Sequence, residues 1–182
     1  MLNAAGYVYV GMDHFAKPDN ELAVAQRNGT LYRNFQGYTT HAGADLYGFG
    51  ITSIGQFARM YAQNAKTLPE YYAALDAGRA STHVGYRLSD DDVLRRDVIM
   101  TLMCDFALDK RAVEKTYGIV FDEYFADVPE RLQELVDDGL VTITPDTITV
   151  NGMGILVIRN VAMAFDAYLP AQREKQIFSR TV

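Results

Sequence analysis

The second half of the chain carries apolar residues at the spacing of amphipathic helices. Ser89 followed by Asp92 resembles a capping box at the start of a helix, with Asp in place of Glu or Gln. Beyond it, apolar positions recur every three to four residues, so they share one helical face. Further helices are predicted over 110–117, 121–125 and 154–169. The residues predicted to point inward are Leu94, Val98, Ile99, Leu102, Met103, Phe106, Leu132, Leu135, Val136, Ile155, Ile158, Val161, Ala162 and Phe165.

A β-hairpin follows the third of these helical stretches, before the last predicted helix. Residues 140–144 and 147–150 predict two strands joined by a turn at Pro145-Asp146. Asp127 is predicted to cap a helix that carries Pro129 in its first turn, where proline is tolerated. Three helices followed by a two-stranded wing are typical of a winged-helix-like domain.

The first half alternates short strands and helices. A buried strand is predicted at 7–12, directly after a helix end closed by Gly6, as in a piece of a longer series of alternating strands and helices. A domain boundary is predicted at 78–81, which gives an α/β part (1–78) and a mainly helical part (79–182). The other predicted elements are helices at 20–28, 56–64 and 69–77 and a strand at 45–51.

Composition narrows the classes of function. The chain has 182 residues, a formal net charge of −6 and one cysteine, Cys104. One cysteine excludes an internal disulfide and a cluster held by this chain's own thiolates, and it fits a reducing cytosol. Nothing resembles a signal peptide or a membrane span, so we expect a cytoplasmic protein. The helical region 121–131 is acidic where a groove-reading helix would be basic, so we expect no nucleic-acid partner.

Few side chains suggest chemistry by pattern alone. Asp13 and His14 follow the first predicted strand, at the end that faces the active site in a parallel barrel, so they are candidates for contacting an anionic substrate. The run Gly48-Phe49-Gly50 partly matches a nucleotide-binding turn, but the third glycine is absent and a plain tight turn is favoured. Cys104 is predicted to be a buried apolar residue rather than a nucleophile.

Several segments together carry a family resemblance. The run from Gly11 to Leu22 (GMDHFAKPDNEL) and the run from Arg33 to Thr40 (RNFQGYTT) resemble signatures of the oxygen-independent coproporphyrinogen III oxidases. The segments 95–99, 124–125 and 178–180 also resemble that family, in the same order along the chain. Haem chaperone-like relatives of the same superfamily are similar, but Gln36 and the Tyr38-Thr39-Thr40 run favour the oxidases.

The resemblance implies a fold and a reaction. The fold would be the C-terminal part of a partial α/β radical-SAM barrel followed by a helical, winged-helix-like C-terminal domain. The reaction would convert coproporphyrinogen III to protoporphyrinogen IX by oxidative decarboxylation of two propionates in haem synthesis. It would use S-adenosylmethionine and a [4Fe–4S] cluster held by three cysteines, which in this family would precede residue 1. We therefore expect this chain alone to be inactive.

The resemblance also implies site residues. Phe35, Gln36 and Ile54 would contribute to a second S-adenosylmethionine site, with Gln36 as a polar contact and the other two as apolar walls. Asp13 and His14 would lie near the substrate, directly or through neighbours. No residue of this chain is assigned as catalytic or as a metal ligand.

Two other classes of function stay open. The chain could be a non-catalytic module that binds haem or porphyrin through Met12, His14 or His41, or a winged-helix interaction protein. We also expect the strand at 7–12 to be unpaired in the absence of the N-terminal half of the barrel, its expected partner, and therefore to promote self-association.

Overall fold

The computed structural model describes residues 1–169, which form two compact units. The first unit combines Met1–Gly29 with the described residues from Leu94 onward, and the second is Thr30–Val93. The predicted boundary at 78–81 does not coincide with this division. Residues 78–81 connect a helix to a strand, and both belong to the second unit. The strand hydrogen-bonds to the neighbouring strand of the same unit.

The N-terminal part of the first unit is a β-hairpin followed by a helix. The strand predicted at 7–12 is present and pairs antiparallel with the next segment, which leaves its other edge without a strand partner among residues 1–169. Met12 and Asp13 have φ values of 39° and 66°, which let the chain reverse between the strands. Val10 is fully buried, and its carbonyl accepts a hydrogen bond from Gln26 Nε2 at 2.6 Å. The elements are a 3₁₀ helix (Asn3–Ala5), β1 (Val8–Gly11), β2 (His14–Ala16) and α1 (Glu21–Arg27).

The second unit contains a two-stranded hairpin and a three-stranded antiparallel sheet in the order β5-β6-β7. The helix predicted at 56–64 is wrong, because Gln56 pairs with Tyr61 and Phe57 with Met60 across a tight hairpin. Cross-strand pairing outweighs the helix propensity of the Ala, Arg, Met and Gln residues in this segment. The elements are β3 (Tyr32–Asn34), β4 (Gly37–Thr39), β5 (Ile54–Phe57), β6 (Met60–Asn64), α2 (Leu68–Asp76) and β7 (Thr82–Arg87).

The strand predicted at 45–51 is also wrong. Within this segment Leu46 makes a single bridge to Gln56 at the edge of β5, and the rest is a loop. The Gly residues there adopt a turn instead of extended backbone, with Gly50 at a φ of 92°. The helix predicted at 69–77 is confirmed as α2, which the side chain of Thr67 caps.

The C-terminal part of the first unit packs helices around a three-stranded antiparallel sheet in the order β8-β10-β9. The sequence does not predict β8, because this strand is three residues long and lies between two helices. The helix predicted at 110–117 and the hairpin at 140–150 are confirmed. The elements are α3 (Asp90–Asp105), β8 (Ala107–Asp109), α4 (Lys110–Tyr117), α5 (Phe121–Tyr124), α6 (Val128–Arg131), α7 (Gln133–Asp137), β9 (Val141–Ile143), β10 (Thr147–Val150), a 3₁₀ helix (Gly152–Val157) and α8 (Ile158–Met163).

The predicted core of this unit is confirmed. Leu102, Leu132, Val161 and Phe165 have no exposed surface. The remaining residues predicted to point inward are buried or half-buried in the same cluster. Burial of this apolar stripe is the main stabilising contribution to the unit.

Two local predictions in this unit need correction. Asp127 makes no capping hydrogen bond; its Oδ2 pairs instead with Arg131 at 2.6 Å, one turn along the chain. The last helix does not start at 154. A 3₁₀ helix comes first, and Gly154 within it packs so closely that an added Cβ would lie 2.3 Å from the carbonyl oxygen of Leu140.

Over residues 1–169, every helix is too short or too polar to cross a membrane. The segment 178–180, which carried part of the family resemblance, lies outside the described residues.

Candidate cofactor site

The tip of the β3–β4 hairpin presents two of the predicted site residues. Phe35 and Gln36 form the two-residue turn between the strands, and the Asn34 Oδ1 accepts a hydrogen bond from the backbone N–H of Gln36 at 2.8 Å. Both turn side chains are exposed, and Phe35 retains 52% of its accessible surface. An exposed aromatic ring beside an exposed side-chain amide offers a ligand one apolar and one hydrogen-bonding surface.

The hairpin tip packs on the central strand of the sheet. The ring of Phe35 meets Tyr61 edge-on, with centroids 5.2 Å apart and an interplanar angle of 90°. At the base of the hairpin, Gln56 Nε2 donates to the Tyr32 hydroxyl at 3.2 Å. The hairpin is therefore tied to the sheet near both of its ends.

Ile54 lies on the sheet face that Phe35 contacts. It pairs with Gln63 across the β5–β6 ladder, and Gln63 is two residues beyond Tyr61 on the same strand. Because side chains alternate along a strand and directly paired residues point the same way, Ile54 and Tyr61 share one face. The structure thus brings Phe35 and Ile54 to the same side of one sheet, with Gln36 next to Phe35.

The glycine loop (residues 48–53) fixes the chain just before Ile54. Asn64 Nδ2 donates to the carbonyl oxygens of Gly48 and Gly50, each at 3.0 Å. Ser53 Oγ donates to the carbonyls of Phe49 and Gly50. Gly48 has no room for a side chain, because an added Cβ would lie 2.8 Å from the Cβ of Ser53. Hydrogen bonds from Asn64 of β6 and from Ser53 within the loop therefore hold these glycines in a tight turn.

Asp13 and His14 lie on the β1–β2 hairpin of the first unit. Asp13 is in the turn, and His14 begins β2, with its Nδ1 2.9 Å from the carbonyl oxygen of Met12. Both side chains are exposed. They directly follow β1, as predicted, at the turn of an antiparallel hairpin, and their contact with a substrate stays a prediction.

Arg33 is a residue that pattern reading missed. Its Nε is buried and has no hydrogen-bond partner among the described residues, and its guanidinium carbon lies 5.8 Å from the ring centroid of Tyr38, its cross-strand neighbour. Only its place in the RNFQGYTT run singled it out in the sequence.

Metal ligands are not grouped in the described part of the chain. Residues 1–169 contain no cluster of three or more His, Cys, Asp or Glu side chains placed to hold an ion. Cys104, the one cysteine of the sequence, is 2% exposed within α3. The residues present therefore do not fit an iron–sulfur cluster bound by three thiolates.

Comparison with known proteins finds relatives similar in sequence to this chain. Residues 88–157 match the family model described as the HemN C-terminal domain. The chain is 49% identical over 181 residues to the oxygen-independent coproporphyrinogen III oxidase of Salmonella typhimurium, and 49% identical over 185 residues to that of Synechocystis. In both cases all of this chain aligns with 40% of the relative. The resemblance to the C-terminal part of this enzyme family is confirmed.

A solved structure is also similar to this chain in sequence and fold. The coproporphyrinogen III oxidase (HemN) of Escherichia coli, described as a radical SAM enzyme, superposes with a TM-score of 0.88 at 47% identity. The match covers 92% of this chain and 38% of the Escherichia coli protein. The chain thus spans about 40% of the length of the curated relatives named above.

Proposed function

We propose that this chain is the C-terminal portion of an oxygen-independent coproporphyrinogen III oxidase. The whole protein would convert coproporphyrinogen III to protoporphyrinogen IX by radical oxidative decarboxylation of two propionates. The observation that carries the proposal is the 49% identity that extends over all of this chain. Identity at that level over the whole of this chain, together with a matching fold, supports a shared reaction.

The proposed role of the second unit is to contribute to a second S-adenosylmethionine site. Phe35 and Ile54 would provide apolar contacts, and the amide of Gln36 would hydrogen-bond to a polar group of the ligand. The exposed hairpin tip and the shared sheet face support this assignment, because cofactor sites are mostly apolar with a few placed polar groups. Bound S-adenosylmethionine supplies radical chemistry in this enzyme class, and these residues would hold and orient it.

Further proposed roles concern substrate contact and the two parts of the fold. Asp13 and His14 would contact the substrate, directly or through neighbouring groups, from the β1–β2 hairpin. Residues 1–78 would complete the end of a radical-SAM barrel, and residues 79–182 would form a winged-helix-like domain. The three-stranded sheet β8-β10-β9 packed with helices supports the second of these assignments.

This chain alone would be inactive. Its single cysteine is buried in α3, so the cluster must be held by residues outside this chain. A reducing cytosol is the compartment we propose, since it suits both a lone thiol and an iron–sulfur enzyme.

Reconstitution tests the proposal. The chain is mixed with a separately produced, cluster-bearing N-terminal piece of a relative, and protoporphyrinogen formation is measured without oxygen. We expect activity that depends on both pieces and that falls at least tenfold in Gln36→Ala. The matched control is Gln133→Ala, which removes an amide from α7 in the other unit and should leave activity within about twofold. Stable association of the two pieces with no product formed would contradict the proposed function.

A further inference from the structure

Arg33 differs from the paired arginines of the described chain. Arg59, Arg96, Arg111 and Arg131 each have a carboxylate partner at 3.1 Å or less. Arg33 has no such partner within residues 1–169, and its Nε–H is buried without an acceptor. A buried donor that has lost its water and gained no acceptor is destabilising, so its retention calls for a compensating role.

The ring of Tyr38 does not meet this need. The guanidinium carbon lies 5.8 Å from the ring centroid, which is a favourable distance for a cation facing an aromatic ring. Such a contact orients the planar guanidinium but leaves the buried Nε–H without an acceptor. Nε–H and one neighbouring N–H form a fork whose spacing matches the two oxygens of a carboxylate. The unpaired Nε–H is one half of that fork.

Arg33 lies on the same hairpin as Phe35 and Gln36. It lies two residues before Phe35 on the strand that leads into the hairpin tip. Side chains alternate along β3, so Arg33 and Tyr38 extend from the hairpin face opposite to Tyr32, whose hydroxyl is bonded to the sheet. A carboxylate on that face would meet a cation already oriented by an aromatic ring.

We propose that Arg33 binds a carboxylate of a ligand held at the β3–β4 hairpin. This inference rests on the proposed function, which supplies two sources of that chemistry. One source is the amino-acid carboxylate of S-adenosylmethionine, and the other is a propionate of the tetracarboxylate substrate. The charge-assisted fork fixes the orientation of the carboxylate and hence of the group attached to it.

Binding measurements on the full chain separate the two sources. S-adenosylmethionine and its decarboxylated form, which lacks the carboxylate, are titrated by calorimetry. Coproporphyrin III, a stable oxidised form of the substrate, and the analogue with its carboxylates converted to amides are titrated by absorbance. Arg33→Gln should weaken one of the two carboxylate ligands about tenfold or more, leave its carboxylate-free analogue unchanged, and be partly rescued by Arg33→Lys. Arg87→Gln, which removes an exposed arginine of β7, is the matched control and should change neither affinity.

Thermal unfolding gives a second readout. Arg33→Met keeps the length of the side chain and removes the unpaired donor, so its Tm should equal or exceed that of the unmodified chain while carboxylate binding falls. A lower Tm with unchanged binding would assign Arg33 to structure alone. Equal affinities of the Arg33→Gln variant and the unmodified chain, equal losses for the carboxylate-free analogues, or no binding of either carboxylate by the unmodified chain would each overturn the inference. Reconstituted activity that is unaffected by Arg33→Gln would remove this inference and leave the proposed function standing.

Discussion

Gly48 illustrates how much the candidate site depends on single residues. A Cβ there would lie 2.8 Å from the Cβ of Ser53 and 3.0 Å from the backbone of Ile54. Sequence reading favoured a tight turn at these glycines, and the structure has one. The closeness of Gly48 to Ser53 and Ile54 was not predictable from the local sequence. It depends on the hydrogen bonds that Asn64 donates to Gly48 and Gly50, which precede it by 16 and 14 residues. Phe35, Gln36 and Ile54 were singled out by resemblance, and without it the simplest interpretation of Phe35 and Ile54 is core packing.

Gly48→Ala should therefore destabilise the loop and displace Ile54. We expect the free energy of unfolding to fall by about 1–3 kcal/mol, as for other overpacked positions, and S-adenosylmethionine to bind more weakly. Urea denaturation and calorimetry measure the two effects. The control is Gly85→Ala in β7, where an added Cβ would lie 3.6 Å from the nearest atom, an ordinary contact. Equal stabilities of the two variants would show that the loop relaxes freely.

Glu114 links two helices through a charged hydrogen bond. Its carboxylate accepts the backbone N–H of Phe121 at 2.9 Å and a guanidinium N–H of Arg111 at 2.8 Å. The Phe121 amide first, and then Arg111, lower the pKa of this carboxyl below its ordinary value of 4.5. A carboxyl whose pKa is lowered on folding stabilises the native state above its unfolded pKa, and this contribution is lost as the pH falls through the folded pKa.

Glu114→Gln should consequently be less stable than the unmodified chain at pH 7. The difference between them should shrink steadily as the pH falls below about 4.5. Urea midpoints at pH 7, 5.5, 4 and 3 measure it. A gap that is independent of pH would mean that the charge of Glu114 does not contribute.

At the scale of elements, prediction succeeded where the signal was local. α4 has its predicted bounds because Asp109 caps its start and Gly118 ends it in the left-handed region. The segment 56–64 failed because its helix-forming residues pair with partners in β7, more than 20 positions away. β1 was found, but its antiparallel partner β2 was not, since the turn residues Met12 and Asp13 are not typical of a hairpin.

The capping box predicted at the start of α3 is confirmed and can be tested. Ser89 Oγ accepts the Asp92 N–H at 3.1 Å, and Asp92 Oδ2 accepts the Ser89 N–H at 2.8 Å. Ser89→Ala should lower the free energy of unfolding by about 1 kcal/mol, whereas Ser89→Thr should cost less than half of that because threonine also caps. Thermal or urea unfolding distinguishes them. A Thr variant as unstable as the Ala variant would argue against the cap as the cause.

At the scale of the whole molecule, two strands present an edge for the expected self-association. β1 pairs with β2 along one edge only, and its Val10 side chain is fully buried. β7 borders the β5-β6-β7 sheet, and all six of its residues are exposed. An exposed edge strand with free backbone groups can pair with a second copy.

We therefore predict a concentration-dependent size in sedimentation that Val84→Lys abolishes, since a charge on an edge strand opposes pairing. Gln133→Lys is the charge-matched control, because it adds the same single positive charge at an exposed position on α7 of the other unit, and it should leave the association unchanged. A monomer at every concentration would contradict the prediction.

The internally bonded glycine loop also has a kinetic consequence. A loop already closed by its own hydrogen bonds does not have to rearrange when a ligand arrives, so association should follow a single exponential whose rate rises linearly with ligand concentration. The sequence contains no tryptophan, and Phe49 stands 86% exposed on this loop. Phe49→Trp would thus place one fluorophore on the loop, without background emission from any other indole, and a stopped-flow record would show directly whether the loop moves.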